Sequence, residues 1–107
     1  MGVAKEFEVI RHVFFAKIKE GVPDAEVDRL VDAWNAMTSK IDSLRAITAG
    51  RNVCATDQRF TVALVADFDD WDGWRAYAEH PEHDAIRRDI SSKIIEPSER
   101  GTIQLEL

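Results

Sequence analysis

Two hydrophobic periods alternate along the chain, and their order predicts the fold. Residues 7–18 (Phe-Glu-Val-Ile-Arg-His-Val-Phe-Phe-Ala-Lys-Ile) are rich in β-branched and aromatic side chains and predict a strand. Gly21 and Pro23 end it. Over residues 24–41, Val27, Leu30, Val31, Trp34, Met37 and Ile41 recur at helical spacing as one apolar stripe. Asp24 and Glu26 suit the positive end of that helix. Residues 44–53 predict a second strand, with Gly50 as a bulge or bend, and residues 59–68 a third. Asp69 or Asp70 caps a second helix, in which Trp71, Trp74, Tyr77 and Ala78 keep helical spacing. Pro81 lacks an N–H and biases His80 away from helical geometry, so this helix should end near Glu79 and a new turn begin at Pro81 or Glu82. Ile86, Ile90 and Ile94 continue it, Pro97 stops it, and residues 102–107 alternate as a last strand.

The order β-α-β-β-α-β is the ferredoxin-like split unit, an α+β fold with a four-stranded antiparallel sheet and helices on one face. In the third strand Phe60, Val62, Leu64, Ala66 and Phe68 should point one way, and Thr61, Ala63, Val65 and Asp67 the other. In the first, Ile10, His12, Phe14 and Ala16 share one face, and Val9, Val13 and Phe15 the opposite one. Both faces are substantially apolar, but one helical layer covers only one. A second copy of the sheet, related by two-fold symmetry, is the economical cover, and a homodimer is expected.

Length and composition narrow the class. The 107 residues suit one domain, expected at 7–107 after a loose leader at 1–6. A formal net charge of −6 argues against a nucleic-acid partner and against anionic membrane surfaces. Cys54 is the only cysteine, so no intrachain disulfide can form, and no apolar run reaches the ~18 residues of a membrane span. A cytoplasmic location is expected.

The candidate chemistry lies at the joint Tyr77-Ala78-Glu79-His80-Pro81-Glu82-His83, which holds the only tyrosine and two of the three histidines. Side chains from two elements can converge there, and histidine carries protons near neutral pH. His83, held by a backbone acceptor or by Asp84, is the candidate base, and the Tyr77 hydroxyl the candidate donor to a developing oxyanion. Phe14, Leu30, Val31, Trp34, Ile47 and Leu64 are expected to wall a pocket for an apolar or aromatic ligand, with His12 either a hydrogen-bonded core histidine or a further wall residue. No cofactor and no metal site is expected: Pro81 upsets a shared helical face for His80 and His83. The acidic run 67–73 has Asp72 where an EF-hand loop needs glycine and Ala78 where it needs glutamate, so it is not read as a calcium loop. Cys54 has no evident activating partner.

The segments Ile10-Arg-His-Val-Phe-Phe-Ala-Lys-Ile-Lys-Glu-Gly21, Gly50-Arg-Asn-Val53, Ala63-Leu-Val-Ala-Asp-Phe68 and Tyr77-x-x-His-Pro-x-His83 resemble the Dabb family, the stress-responsive α/β-barrel domain. The resemblance spans about residues 9–107 and implies ferredoxin-like protomers that pair sheet to sheet into a dimeric α+β barrel. It does not imply one activity. A polyketide cyclase of this architecture has an acid/base histidine that corresponds to His83, a helix tyrosine that corresponds to Tyr77 and a pocket histidine that corresponds to His12. Another of its histidines falls at Val62, so the resemblance implies an apolar wall residue there in place of a polar one. Three classes follow: a small dimeric binding or stress-related protein whose pocket holds an apolar molecule, a cofactor-free cyclase or lyase, and a haem- or quinone-handling monooxygenase of neighbouring architecture.

Overall fold

The computed structural model describes residues 6–107. Most of the leader expected at 1–6 lies outside them. The element order is β1 (Ile10–Ile18), α1 (Asp24–Ala36) with a 3-10 turn (Met37–Ser39), β2 (Leu44–Arg51), β3 (Val62–Phe68), α2 (Trp71–Ala78), α3 (Pro81–Ile86), a π-helical turn (Arg87–Ser91), α4 (Ser92–Ile94) and β4 (Ile95–Glu106). The four strands form one antiparallel sheet in the order β2-β3-β1-β4, as the ferredoxin-like reading requires.

Helix starts follow local chemistry. Asp70 is the cap of α2, its carboxylate accepting from the Gly73 N–H at 2.8 Å. That bond satisfies one orphan donor of the first turn, so Asp70→Ala is expected to cost about 1 kcal/mol in chemical denaturation. His80 is extended (φ −70°, ψ 138°), and its Nδ1 accepts from the Glu82 N–H, so the ring caps α3 while Pro81 takes the first helical position.

The core lies between the sheet and the helices. Ile10, Ala16, Leu64, Ala66 and Phe68 of the sheet meet Val27, Leu30 and Trp34 of α1 and Tyr77 of α2, all buried. The alternation read from the sequence holds through β1 and β3, with one exception. Phe60 precedes β3 and its ring packs on Phe15 at 4.7 Å, on the face away from the helices. Without a ladder partner to fix its pleat, Phe60 follows its aromatic neighbour.

Two other expectations change. Gly50 sits in regular register opposite Ala63, and the β2 irregularity falls between Leu44 and Ala46. The last strand begins at Ile95 and contains Pro97, because β4 is an edge strand and the register jumps between Ile18↔Ile95 and Ala16↔Arg100. A proline is tolerated where an edge strand leaves its neighbour.

The helix-free face carries Val13, Phe15, Ala63, Val65, Ile103 and Leu105, in register across β3, β1 and β4. Val65 is 37% exposed, Ile103 52% and Leu105 44%, so an apolar surface stands open. The Phe15 ring packs against Gly101, where an added Cβ would come within 2.6 Å of it. Arg11 and Asp67 close one end of this face with a two-pronged ion pair at 2.8 and 3.0 Å. At the β2 edge, the Asn35 side chain donates to the Ala49 carbonyl and accepts from its N–H.

Candidate functional site

A cavity of about 480 Å³ opens between the helices and the sheet. Its sheet side is formed by His12 and Phe14 of β1 and Leu64 of β3. Trp34 of α1, Tyr77 of α2 and His83 of α3 face it, and Phe14 meets Trp34 edge to face at 6.0 Å. Six of the ten residues expected at the site therefore converge. Leu30 and Val62 instead belong to the packed core, at 0% and 1% exposure. Val31 and Ile47 pack against that core and do not line the cavity.

The far wall was not anticipated. Ile86, Arg87, Ser91 and Ser92 come from the end of α3, the π-helical turn and α4, and Ile95, Pro97 and Arg100 from the start of β4. A π turn shifts the phase of a helix and often marks a functional wall, but nothing in the isoleucine spacing announces it.

The Tyr77 and His83 rings lie 4.7 Å apart, tilted by 58°, across the joint at Pro81. His12 approaches Tyr77 at 6.1 Å from the sheet. The Gln104 amide nitrogen lies 3.0 Å from His12 Nδ1, and as donor it leaves the ring proton on Nε2. The Ala78 carbonyl helps hold His83. Asp84, the other expected holder, is ion-paired with Arg87 and Arg88.

Burial sets the protonation states. It pushes His12 down to about 4, with the neighbouring His83 adding to the effect. It also lowers His83, where Arg87 acts in the same direction while Asp84 and the Ala78 carbonyl oppose it. Tyr77 is pushed up to about 12 by burial alone. Near neutral pH the site therefore pairs a free-base imidazole with a phenol that keeps its proton.

A stability prediction follows from His12. Its folded pKa lies below the ordinary 6.5, so the unfolded chain binds the extra proton. This contribution is complete above about pH 6.5 and is lost as the pH falls towards about 4. Thermal melts across that window should show a smaller decline for His12→Gln than for the parent.

Among the described residues, no three His, Cys, Asp or Glu side chains are grouped to hold a metal ion. No helix there is long and apolar enough to cross a membrane. Cys54 is exposed in the β2–β3 loop, and hydrogen bonding around Thr56 lowers its thiol pKa.

The family model for the stress responsive A/B barrel domain, Dabb, matches residues 10–99. The chain belongs to the Dabb family. Among curated protein sequences none matches it. Its fold is shared by a dimeric protein of unknown function and ferredoxin-like fold from Bacteroides fragilis. That protein is 27% identical, with a TM-score of 0.77 over 94% of this chain and 99% of that one. A dimeric ferredoxin-like protein of unknown function from Thermobifida fusca is 25% identical, with a TM-score of 0.81 over 99% and 97% of the two chains. A Dabb family protein from Mesorhizobium loti has the same fold at 20% identity, with a TM-score of 0.77 over 94% and 97%. In this Dabb domain the matched region contains Tyr77, His83 and His12, and ends one residue before Arg100.

Proposed function

We propose that this Dabb protein is a homodimer that binds an apolar or aromatic small molecule in the cavity between its helices and sheet. Tyr77 and His83 are the polar groups that orient the ligand. The observation that carries the reading is their apposition at 4.7 Å on the wall of a 480 Å³ cavity also walled by Phe14, Trp34 and Leu64. Such a mainly apolar concavity with a few convergent polar groups is the usual form of a small-molecule site. The homodimer is supported by the open apolar sheet face and by the dimeric relatives from B. fragilis and T. fusca.

The protonation states favour a second reading, cofactor-free lyase or cyclase chemistry on a carbonyl substrate. Neutral His83 would take a proton from the carbon beside the carbonyl. The electron pair would move onto the carbonyl oxygen, where the Tyr77 O–H would hold the growing charge. The lowered His83 pKa keeps the base free at neutral pH, and the raised Tyr77 pKa keeps the donor protonated.

His83→Ala tests both readings. It should weaken ligand binding or turnover at least about tenfold, roughly 1.4 kcal/mol. Because His83 is only half-buried, stability should stay within about 1 kcal/mol of the parent. A ligand screen and thermal melts decide the binding reading, and unfolding on a core-mutant scale would make His83 structural. For the catalytic reading, the acid limb of the pH-rate profile should fall below the ordinary histidine value near ~6.5. Saturable binding without turnover would leave the protein a binder.

A further inference from the structure

The charges on the cavity wall are unequal in a way the acid/base chemistry does not use. Burial keeps His12 and His83 uncharged near neutral pH, and Tyr77 keeps its proton. Among the described residues no carboxylate lines the cavity. Two arginines do, Arg87 and Arg100. Arg87 is bound by Asp84 one helical turn away. Arg100 is different: among the described residues it has no ion-pair or hydrogen-bond partner for its side chain. In a chain of net charge −6, an unpaired cation on a wall without a carboxylate among the described residues stands out.

Its placement follows from the sheet. The register His12↔Gln104, Phe14↔Thr102, Ala16↔Arg100 puts Arg100 on the helix-facing side of β4, in line with the two cavity residues of β1. The jump from Ile18↔Ile95 to Ala16↔Arg100 bows residues 96–99 away from the ladder and carries Pro97 and Arg100 onto the cavity wall. Opposite them, the Ser91 and Ser92 hydroxyls donate to the Arg87 and Arg88 carbonyls. The Arg100 fork is therefore the free set of strong donors on this side, and it suits a planar oxyanion.

We propose that the ligand carries an anionic group, a carboxylate or a group of like charge and shape, which Arg100 binds at the solvent side of the cavity while the ligand's apolar body lies against Phe14, Trp34 and Leu64. This rests on the binding reading above and narrows it from apolar compounds to apolar acids. Arg100 sets specificity and takes no part in proton transfer at Tyr77 and His83.

The test uses an isosteric pair, 4-butylbenzoate and the neutral 4-butylbenzamide, titrated into the full chain by calorimetry, with amide chemical shifts locating the site. The acid should bind at least about tenfold more tightly than the amide. Arg100→Gln should weaken the acid about tenfold and leave the amide unchanged, while Arg100→Lys keeps part of the preference. Arg87→Gln should keep all of it. Shifts should centre on Ser91, Ser92 and residue 100. Equal binding of acid and amide by the parent overturns the anion site and leaves the cavity reading standing. So does a preference that survives Arg100→Gln or is lost in Arg87→Gln. Shifts centred on Val65 and Ile103 of the open sheet face overturn the site for either probe. Binding of neither probe overturns the anion site and counts against the cavity reading itself.

Discussion

Val65→Asp is expected to leave the chain folded and to split the homodimer proposed above into 12.1 kDa protomers. Val65 lies on the helix-free face, opposite Val13 on β1 and Thr48 on β2. In an isolated protomer it is 37% exposed, so a carboxylate there keeps its water and costs the fold little. Between two stacked sheets the same carboxylate loses that water and meets Val13, Phe15 and Ile103 in place of a cation. An unpaired buried charge costs several kcal/mol, roughly a hundredfold or more in the dissociation constant. Sedimentation at micromolar concentration should find the parent at about twice the protomer mass and the variant at the protomer mass, with similar far-ultraviolet circular dichroism. A monomeric parent would refute the dimer. A dimeric variant would move the interface to another surface.

Phe68→Ala should destabilise the fold by about 3–5 kcal/mol in urea denaturation. Phe68 is 0% exposed at the end of β3, paired with Ile10 on one side and Leu44 on the other, and its ring meets Tyr77 at 5.0 Å. Truncation removes the transfer energy of a benzyl group and leaves a void between three elements that hydrogen bonds hold apart. Since a domain of this kind is stable by only about 5–15 kcal/mol, the loss is a large part of the total. Tyr77 would also lose its backing, so the variant should bind cavity ligands less well even where it stays folded. A cost under about 1 kcal/mol would mean that the site collapses and fills the void.

The two predictions draw on opposite faces of one sheet, and those faces were the most legible part of the sequence. Alternation assigns Ile10, His12 and Phe14 to one side and Val13 and Phe15 to the other because a strand's period is two whatever surrounds it. The joint at Pro81 was legible for a similar reason, since proline acts locally. Depth was not legible. Leu30 and Val31 share a helical stripe with Trp34, and Val62 shares a strand face with Leu64. Only the packing of α1 on the sheet decides that Trp34 and Leu64 reach the cavity while the others do not. The far wall was hidden by Pro97, which reads as a stop but sits in an edge strand. Alternation through Arg100, Thr102 and Gln104 was the available signal, and it becomes usable once β4 is known to begin at Ile95.

The clamp between Asn35 and Ala49 has a consequence for how copies of this chain can meet. A side-chain amide presents one donor and one acceptor at the spacing of a peptide, so Asn35 occupies the outward N–H and C=O of Ala49 as a neighbouring strand would. A foreign strand laid along β2 would have to displace it. End-on polymerisation through this edge, the route by which open sheets seed fibrils, is thereby obstructed on one flank by a single residue of a helix.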